Sequence, residues 1–151
     1  MKAMHALIAV GVVALILAMA SVGAQNTPNP AVVRDGVVIH ISHGRDSSQQ
    51  AVMGLNMAVM MSDDHDVLVY FDIKGIDLAL KDAPDLSYSS AAPSSKTELM
   101  ALREKGVPMM VCPGCLKAAG KSADDLAPGM RLADKNSFFT FTKGRILTLD
   151  Y

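Results

Sequence analysis

The chain is poor in several residue types, and each scarcity narrows what it can do. It contains no tryptophan, and aromatic residues make up 5% of its 151 residues. A core must therefore be built from Val, Ile, Leu, Met and Ala. The formal net charge is −1 and no basic run occurs, so nucleic acid is not an expected partner. The turn "SHGRDSS" (42–48) lacks a glycine-rich phosphate fingerprint, which argues against a nucleotide, flavin or nicotinamide site.

Cysteine is also scarce. The only two, Cys112 and Cys115, lie together in "MMVCPGCLKAAGK" (109–121), which is too few for the framework of a disulfide-rich mini-protein. A structural disulfide across so short a loop would restrict the unfolded chain little. The pair therefore favours disulfide exchange, sulfur transfer or soft-metal binding, with a structural or inert pair as the remaining interpretation.

The N-terminus has the pattern of a secretory signal peptide. A lysine precedes the apolar run "ALIAVGVVALILAMA" (6–20), and small residues follow before Gln25. We expect a periplasmic or secreted protein with no membrane attachment after cleavage, the alternative being an uncleaved anchor. An oxidising compartment would allow the thiols to form a disulfide. The predicted divisions are a signal peptide over 1–24, a polar linker over 25–34 and one domain over 35–151.

Apolar strand-like segments alternate with helical patterns along the domain. This alternation predicts an α/β fold with a mostly parallel five-stranded sheet. The predicted strands are 37–42, 66–72, 107–112, 130–133 and 145–151. The predicted helices are 46–62, 95–105, 113–119 and 136–143.

The predicted ends of two strands hold the candidate site. Cys112 closes one strand, and Pro113 is favoured at the first position of the helix that follows. Cys112 then caps the helix, where free N–H groups favour a thiolate, and Cys115 lies one turn on as a resolving thiol. Ligands of parallel sheets bind at the carboxyl ends of the strands. His43 would share that rim with Cys112 if their strands are neighbours, and would then move a proton or orient a substrate.

Several segments give the domain a family resemblance. "FDIKGIDL" (71–78) and "GVPMMVCPGC" (106–115) are the strongest, and the pattern extends over the whole mature chain. The sequence resembles the DsrE/DsrF-like proteins, a group of sulfur-relay and predicted peroxiredoxin-like domains that includes the tus sulfurtransferase subunits. The resemblance implies a three-layer α/β/α sandwich, a persulfide carried on Cys112, and trimers or hexamers. It also implies a partner protein that supplies sulfur or exchanges electrons.

Two features depart from the sulfur-relay members. Many of those proteins are cytoplasmic, whereas we expect this chain to be exported, and single-cysteine carriers have no counterpart of Cys115. Both features argue against a tus-type role in tRNA thiolation. They leave persulfide or disulfide chemistry in the periplasm, as a sulfurtransferase, a sulfur carrier or a thiol oxidoreductase.

Copper(I) binding is the alternative from a different class. Met110, Cys112 and Cys115 have the M-x-C-x-x-C spacing of small copper(I) chaperones, and thioether and thiolate ligands select copper(I). Met110 would have to point out of the end of its strand. Zinc would require two more ligands than this pair supplies. We otherwise expect no cofactor, and a non-catalytic oligomeric interaction module is the other alternative.

The predicted long helix is apolar on two faces. Val52, Leu55 and Val59 form one stripe, whereas Met53 and Met60 lie on the opposite side. A helix of this kind often contacts another subunit. The pattern therefore agrees with a homo-oligomer.

Overall fold

The structure is a computed structural model that describes residues 33–151. The predicted signal peptide and most of the predicted linker lie outside these residues. No helix within 33–151 combines the length and the apolar character needed to cross a membrane.

Five strands and four α-helices follow the predicted order. The strands are β1 (Gly36–Ile41), β2 (Asp66–Phe71), β3 (Met109–Val111), β4 (Met130–Leu132) and β5 (Ile146–Asp150). The helices are α1 (Ser48–Met61), α2 (Ser95–Glu104), α3 (Pro113–Ala118) and α4 (Ser137–Thr140). Short 3₁₀ turns occupy Arg45–Ser47, Gly75–Ala79 and Ala123–Asp125.

All five strands run parallel in the order β4-β3-β2-β1-β5. The predicted α/β fold with a five-stranded sheet and flanking helices is therefore confirmed. β2 lies between β1 and β3, so the strands that precede His43 and Cys112 are not neighbours. All carboxyl ends of the strands meet at one edge, where ligands of parallel sheets bind.

The two faces of the sheet are covered unequally. One face forms the main core, in which inward residues of β1, β2 and β3 pack against α1, α2 and the loops. The other face carries a smaller cluster of Val38, Leu68 and Met110, against which Phe138 and Phe141 pack. The second outer layer is thus a short aromatic segment around α4, and part of this face stays open.

Helix α1 has the predicted amphipathic pattern. Val52 and Leu55 are buried against the sheet, whereas Met53 is 43% and Met60 is 59% exposed. Between α1 and α2, the Asn56 amide donates a hydrogen bond of 2.8 Å to the buried carboxylate of Glu98. This bond compensates a carboxylate that is costly to bury without a partner.

Helix α4 is shorter than the predicted segment 136–143. The chain turns after Thr140, and the buried Thr142 hydroxyl donates a hydrogen bond of 2.8 Å to the Arg34 carbonyl. This tertiary bond fixes Thr142 beside the chain that enters β1. Phe138 and Phe141 pack on the sheet, whereas Thr142 is bonded to Arg34, and this second contact draws the chain out of the helix.

Glycines let the loops after β1 and β2 meet at the carboxyl edge of the sheet. A Cβ atom on Gly75 would collide with the Ile41 carbonyl, and one on Gly44 would lie 2.5 Å from the Lys74 carbonyl oxygen. The Lys74 and Gly75 amides both donate to the Ser42 carbonyl, at 3.1 and 3.2 Å. This close packing fixes the loop from Asp72 to Gly75 beside the end of β1.

Candidate functional site

Cys112 lies where β3 ends and α3 begins. Its sulfur accepts a hydrogen bond from the Cys115 amide at 3.4 Å, so Cys112 is the N-cap residue of α3 and Pro113 is the first helical residue. The Cys112 amide donates to the Phe71 carbonyl at 2.9 Å, which holds the cap against β2. The predicted placement of both cysteines in this turn agrees with the structure.

A polar row crosses the sheet beside Cys112. Asp150, His40 and Tyr70 are in register on β5, β1 and β2, so their side chains share one face. This is the more open face of the sheet. Asp72 follows Tyr70 by two residues and continues the row to the carboxyl edge.

His40 lies between two carboxylates. Its Nδ1 is 2.7 Å from Asp150 Oδ1, and its Nε2 is 2.8 Å from Asp72 Oδ1. Ionised carboxylates only accept hydrogen bonds, so the ring can donate to both of them only as an imidazolium, with both ring nitrogens protonated. Burial lowers the pKa of His40, but the bonds to Asp150 and Asp72 outweigh it and raise the pKa above the ordinary 6.5.

Tyr70 connects His40 to Cys112. Its ring stacks on the His40 ring at 5.6 Å, and Phe138 contacts it edge-on at 5.0 Å. The Tyr70 hydroxyl favours the Cys112 thiolate and so lowers the pKa of Cys112. Burial, and then the interaction with Cys112, raise the pKa of the Tyr70 hydroxyl. Tyr70 therefore holds its proton more strongly than an ordinary tyrosine.

The pKa values of the two thiols are shifted in opposite directions. Burial opposes ionisation of Cys112, but hydrogen bonds from the Cys115 amide and the Tyr70 hydroxyl outweigh it and lower the pKa of Cys112. The Ile73 amide favours the Cys115 thiolate, yet the Cys112 sulfur, burial and the Asp72 charge together raise the pKa of Cys115. The Cys112 thiol therefore ionises at a lower pH than the Cys115 thiol.

Ile73 has an unusual backbone conformation at this site. Its φ of 46° is positive, which is rare for a β-branched residue and costs about 1–3 kcal/mol. The close approach of the following glycine to β1 maintains the turn. The Ile73 amide in this turn lowers the pKa of Cys115.

His43 is not brought into contact with the cysteines. Its Nδ1 lies 2.7 Å from Asp46 Oδ2 in the turn after β1. The predicted role depended on neighbouring strands for His43 and Cys112, and β2 separates them. The histidine that belongs to the polar row is His40.

Met110 does not point out of the end of its strand. It is fully buried between Val38 and Leu68, so the exposure required by the copper(I) interpretation is not met. Within residues 33–151, no three His, Cys, Asp or Glu side chains are grouped to hold a metal ion. The donor set that remains for a soft metal is the two thiols.

The sequence interpretation missed three residues of the site, which are His40, Tyr70 and Asp72. His40 was interpreted as a structural histidine, and Tyr70 as part of an apolar strand. A signal did exist, because polar side chains at 40, 70, 72 and 112 interrupt apolar strands near their ends. Only the register of the strands shows that they share one face.

Replacing His40 by Gln should lower stability in a pH-dependent way. The pKa of His40 is raised in the folded protein, so its stabilising effect is fully present below about pH 6.5, the usual value for histidine. It is lost as the pH rises through the folded pKa. Urea unfolding from pH 5 to 9 should show a difference between wild type and His40→Gln that shrinks with rising pH. His65→Gln is the matched control, because His65 pairs with the exposed Asp64. A constant difference would contradict the imidazolium.

Replacing Tyr70 by Phe should raise the pKa of Cys112, because one donor to the thiolate is removed. We expect slower alkylation of Cys112 by iodoacetamide at neutral pH, with the pH profile moved to higher pH. The measurement is made in Cys115→Ser, so that one thiol reacts. Tyr88→Phe removes a hydroxyl from an exposed tyrosine and should leave the profile in place. An unchanged profile in Tyr70→Phe would show that the hydroxyl does not act on the sulfur.

Two solved structures have the same fold. The YchN protein from E. coli matches with a TM-score of 0.59 and 16% identity, over 77% of this chain and 99% of YchN. A protein of unknown function from Methanobacterium thermoautotrophicum, MTH1491, matches with a TM-score of 0.53 and 18% identity, over 76% and 98% of the two chains. At these identities the likeness shows the fold alone.

The family comparison extends over most of the described domain. No curated protein matches this chain. The model of the DsrE/DsrF-like family matches residues 35–144, which include His40, Tyr70, Asp72 and both cysteines but not Asp150. The chain is therefore a member of the DsrE/DsrF-like family.

Proposed function

We propose that this protein acts in sulfur transfer or thiol–disulfide exchange in the periplasm, together with a sulfur-donor or redox partner protein. Cys112 is the nucleophile or persulfide carrier, and Cys115 is the resolving thiol. The observation that carries the proposal is the asymmetry of the pair, in which hydrogen bonds lower the pKa of Cys112 while that of Cys115 is raised. A thiolate beside a protonated thiol suits stepwise sulfur chemistry.

The first step transfers one sulfur atom. The Cys112 thiolate attacks the outer sulfur of a donor persulfide, R–S–SH. The new bond joins Cys112 Sγ to that sulfur, the donor S–S bond breaks, and R–S⁻ leaves. The product is Cys112–S–SH, and the Tyr70 hydroxyl and Cys115 amide that bond the sulfur beforehand orient it for attack.

Cys115 provides a second step that a single-cysteine carrier lacks. After losing its proton, its thiolate attacks Cys112 Sγ and releases HS⁻. The two cysteines become a disulfide and the transferred sulfur is reduced to sulfide, so electrons balance. The raised pKa of Cys115 slows this step, which gives an acceptor thiol time to take the outer sulfur first.

Intact mass spectrometry after exposure to polysulfide tests the carrier role. The wild-type mature protein should gain one or more sulfur atoms, and Cys112→Ser should gain none because the nucleophile is absent. Cys115→Ser is the matched control, and it should keep the added sulfur longer than wild type. The intact mass also reports whether the exported chain begins at Gln25.

Three outcomes would overturn the proposal. Equal sulfur gain in Cys112→Ser would place the chemistry elsewhere. Absence of any adduct, with copper(I) retained through gel filtration, would favour metal binding. A mass deficit of two hydrogens that resists mild reductants would favour a structural disulfide.

We also propose that the protein is a homo-oligomer, a trimer or a hexamer. Met53 and Met60 expose apolar surface on α1, and Leu147 of the edge strand β5 is 55% exposed. Apolar groups of this size on an outer helix and an edge strand favour burial by another subunit.

Sedimentation velocity tests the assembly. The mature protein should sediment at three or six times the monomer mass, and a Met53→Ser, Met60→Ser double variant should shift toward monomer because apolar interface area is lost. Met57→Ser is the control, since this methionine packs partly into the core and should affect stability rather than assembly. A wild-type monomer at all concentrations would contradict the proposal.

A further inference from the structure

A cleft opens on the face of the sheet that carries the polar row. It has a volume of about 440 Å³ and is mostly apolar. Its lining residues are Val38, His40, Tyr70, Asp72, Phe138, Phe139, Ile146 and Thr148. Phe139 is 76% exposed, so one aromatic wall faces solvent. The volume is in the range of sites for small organic molecules.

The cleft and the Cys112 site share two residues. Tyr70 lines the cleft and lies in register with Met110, two residues before Cys112. Asp72 lines the cleft and directly follows Phe71, whose carbonyl accepts a hydrogen bond of 2.9 Å from the Cys112 amide. The charge of Asp72 also raises the pKa of the Cys115 thiol. A molecule whose sulfur reaches Cys112 can therefore place the rest of its body in the cleft.

The charge of the cleft favours a cation. Asp72 and Asp150 carry two negative charges, and the His40 imidazolium between them carries one positive charge. Both N–H groups of His40 are used by these carboxylates, and its ring stacks on Tyr70. The imidazolium is thus not presented to a ligand, whereas carboxylate oxygens and the aromatic faces are. Carboxylates and aromatic faces attract organic ammonium groups.

Two exposed lysines supply the opposing charge. Lys117 lies on α3 two residues after Cys115, and Lys74 directly follows Ile73. Neither lines the cleft. They would favour an anion only if the substrate approached from the side of Cys115.

We propose that this cleft binds the leaving-group half of the substrate of Cys112, and that it selects disulfides or persulfides of aminothiols, in which a cationic amine lies on a short alkyl body. Asp72 is the main specificity-determining residue and Asp150 assists it. This inference rests on the proposed role of Cys112 as nucleophile.

The reaction of Cys112 with such a disulfide is an ordinary thiol–disulfide exchange. The Cys112 thiolate attacks one sulfur of R–S–S–R, the S–S bond breaks, and R–S⁻ leaves. One Cys112–S–S–R mixed disulfide replaces one disulfide, so the added reagent supplies the oxidising equivalents. The ammonium group of the departing R–S⁻ stays beside Asp72 during the attack.

Three disulfides that differ in charge test the selection. Cystamine is cationic, bis(2-hydroxyethyl) disulfide is neutral, and 3,3′-dithiodipropionate is anionic. Formation of the mixed disulfide is followed by intact mass spectrometry in Cys115→Ser, at low ionic strength. Each rate is divided by the rate of the same reagent with N-acetylcysteine amide. This division cancels differences in intrinsic reactivity among the three reagents. We expect the normalised rate to fall about threefold from cystamine to the neutral disulfide and about threefold again to the anion, and less at high salt.

Variants of the two carboxylates test whether the preference for the cationic disulfide comes from the cleft. In Asp72→Asn the ratio of the cystamine rate to the anion rate should drop by about threefold, and Asp150→Asn should lower it less because its side chain is 72% exposed. The ratio cancels any general change in reactivity of Cys112. Asp124→Asn removes an equal charge from the exposed turn Ala123–Asp125 and should leave the ratio unchanged.

The outcomes separate this inference from the proposed function. Equal normalised rates for all three reagents, or a faster anion, would overturn the selection while leaving Cys112 as the nucleophile. A preference that persists in Asp72→Asn and Asp150→Asn would place the selectivity outside the cleft. Failure of Cys112 to react with even the neutral disulfide would overturn the proposed function itself.

Discussion

The pairing of the His40 imidazolium with Asp72 and Asp150 is the interaction on which the site depends. It joins β1 to the edge strand β5 and to the residue after β2, so one side chain connects three segments of the sheet. Hydrogen bonds between charged groups contribute about 1.5–3 kcal/mol each, and the exposed Asp150 contributes less because water screens it. The fixed ring supports Tyr70 by stacking, and Tyr70 supports the Cys112 thiolate.

The site is built by packing more than by the cysteine motif. A C-x-x-C turn supplies the thiols and the amide of Cys115, but the second donor to Cys112 comes from β2 and the donor to Cys115 from the loop after it. The glycine at position 75 keeps that loop against β1. The turn thus supplies the strongest stabilisation of the Cys112 thiolate, and Tyr70 on the neighbouring strand adds to the difference between the two thiols. The Ile73 amide acts on Cys115 in the same direction and reduces that difference.

Much of the fold could be predicted from the sequence, because strand and helix patterns are local. The order of the strands could not, since it depends on tertiary pairing, and for this reason His43 was preferred to His40. Cys112 was predictable because Pro113 marks the start of a helix. The environment of Met110 was not predictable, because its spacing from the cysteines does not reveal that its side chain is fully buried in a cluster with Val38 and Leu68.

The unequal covering of the two faces has a consequence for how such a domain can change during evolution. The face covered by α1 and α2 holds most of the core, whereas His40, Tyr70 and the cleft lie on the other. Substitutions around the aromatic segment of α4 change the lining of the cleft without disturbing the main core. A lineage can therefore change what binds on one side of the sheet while the residues that stabilise the fold stay the same on the other.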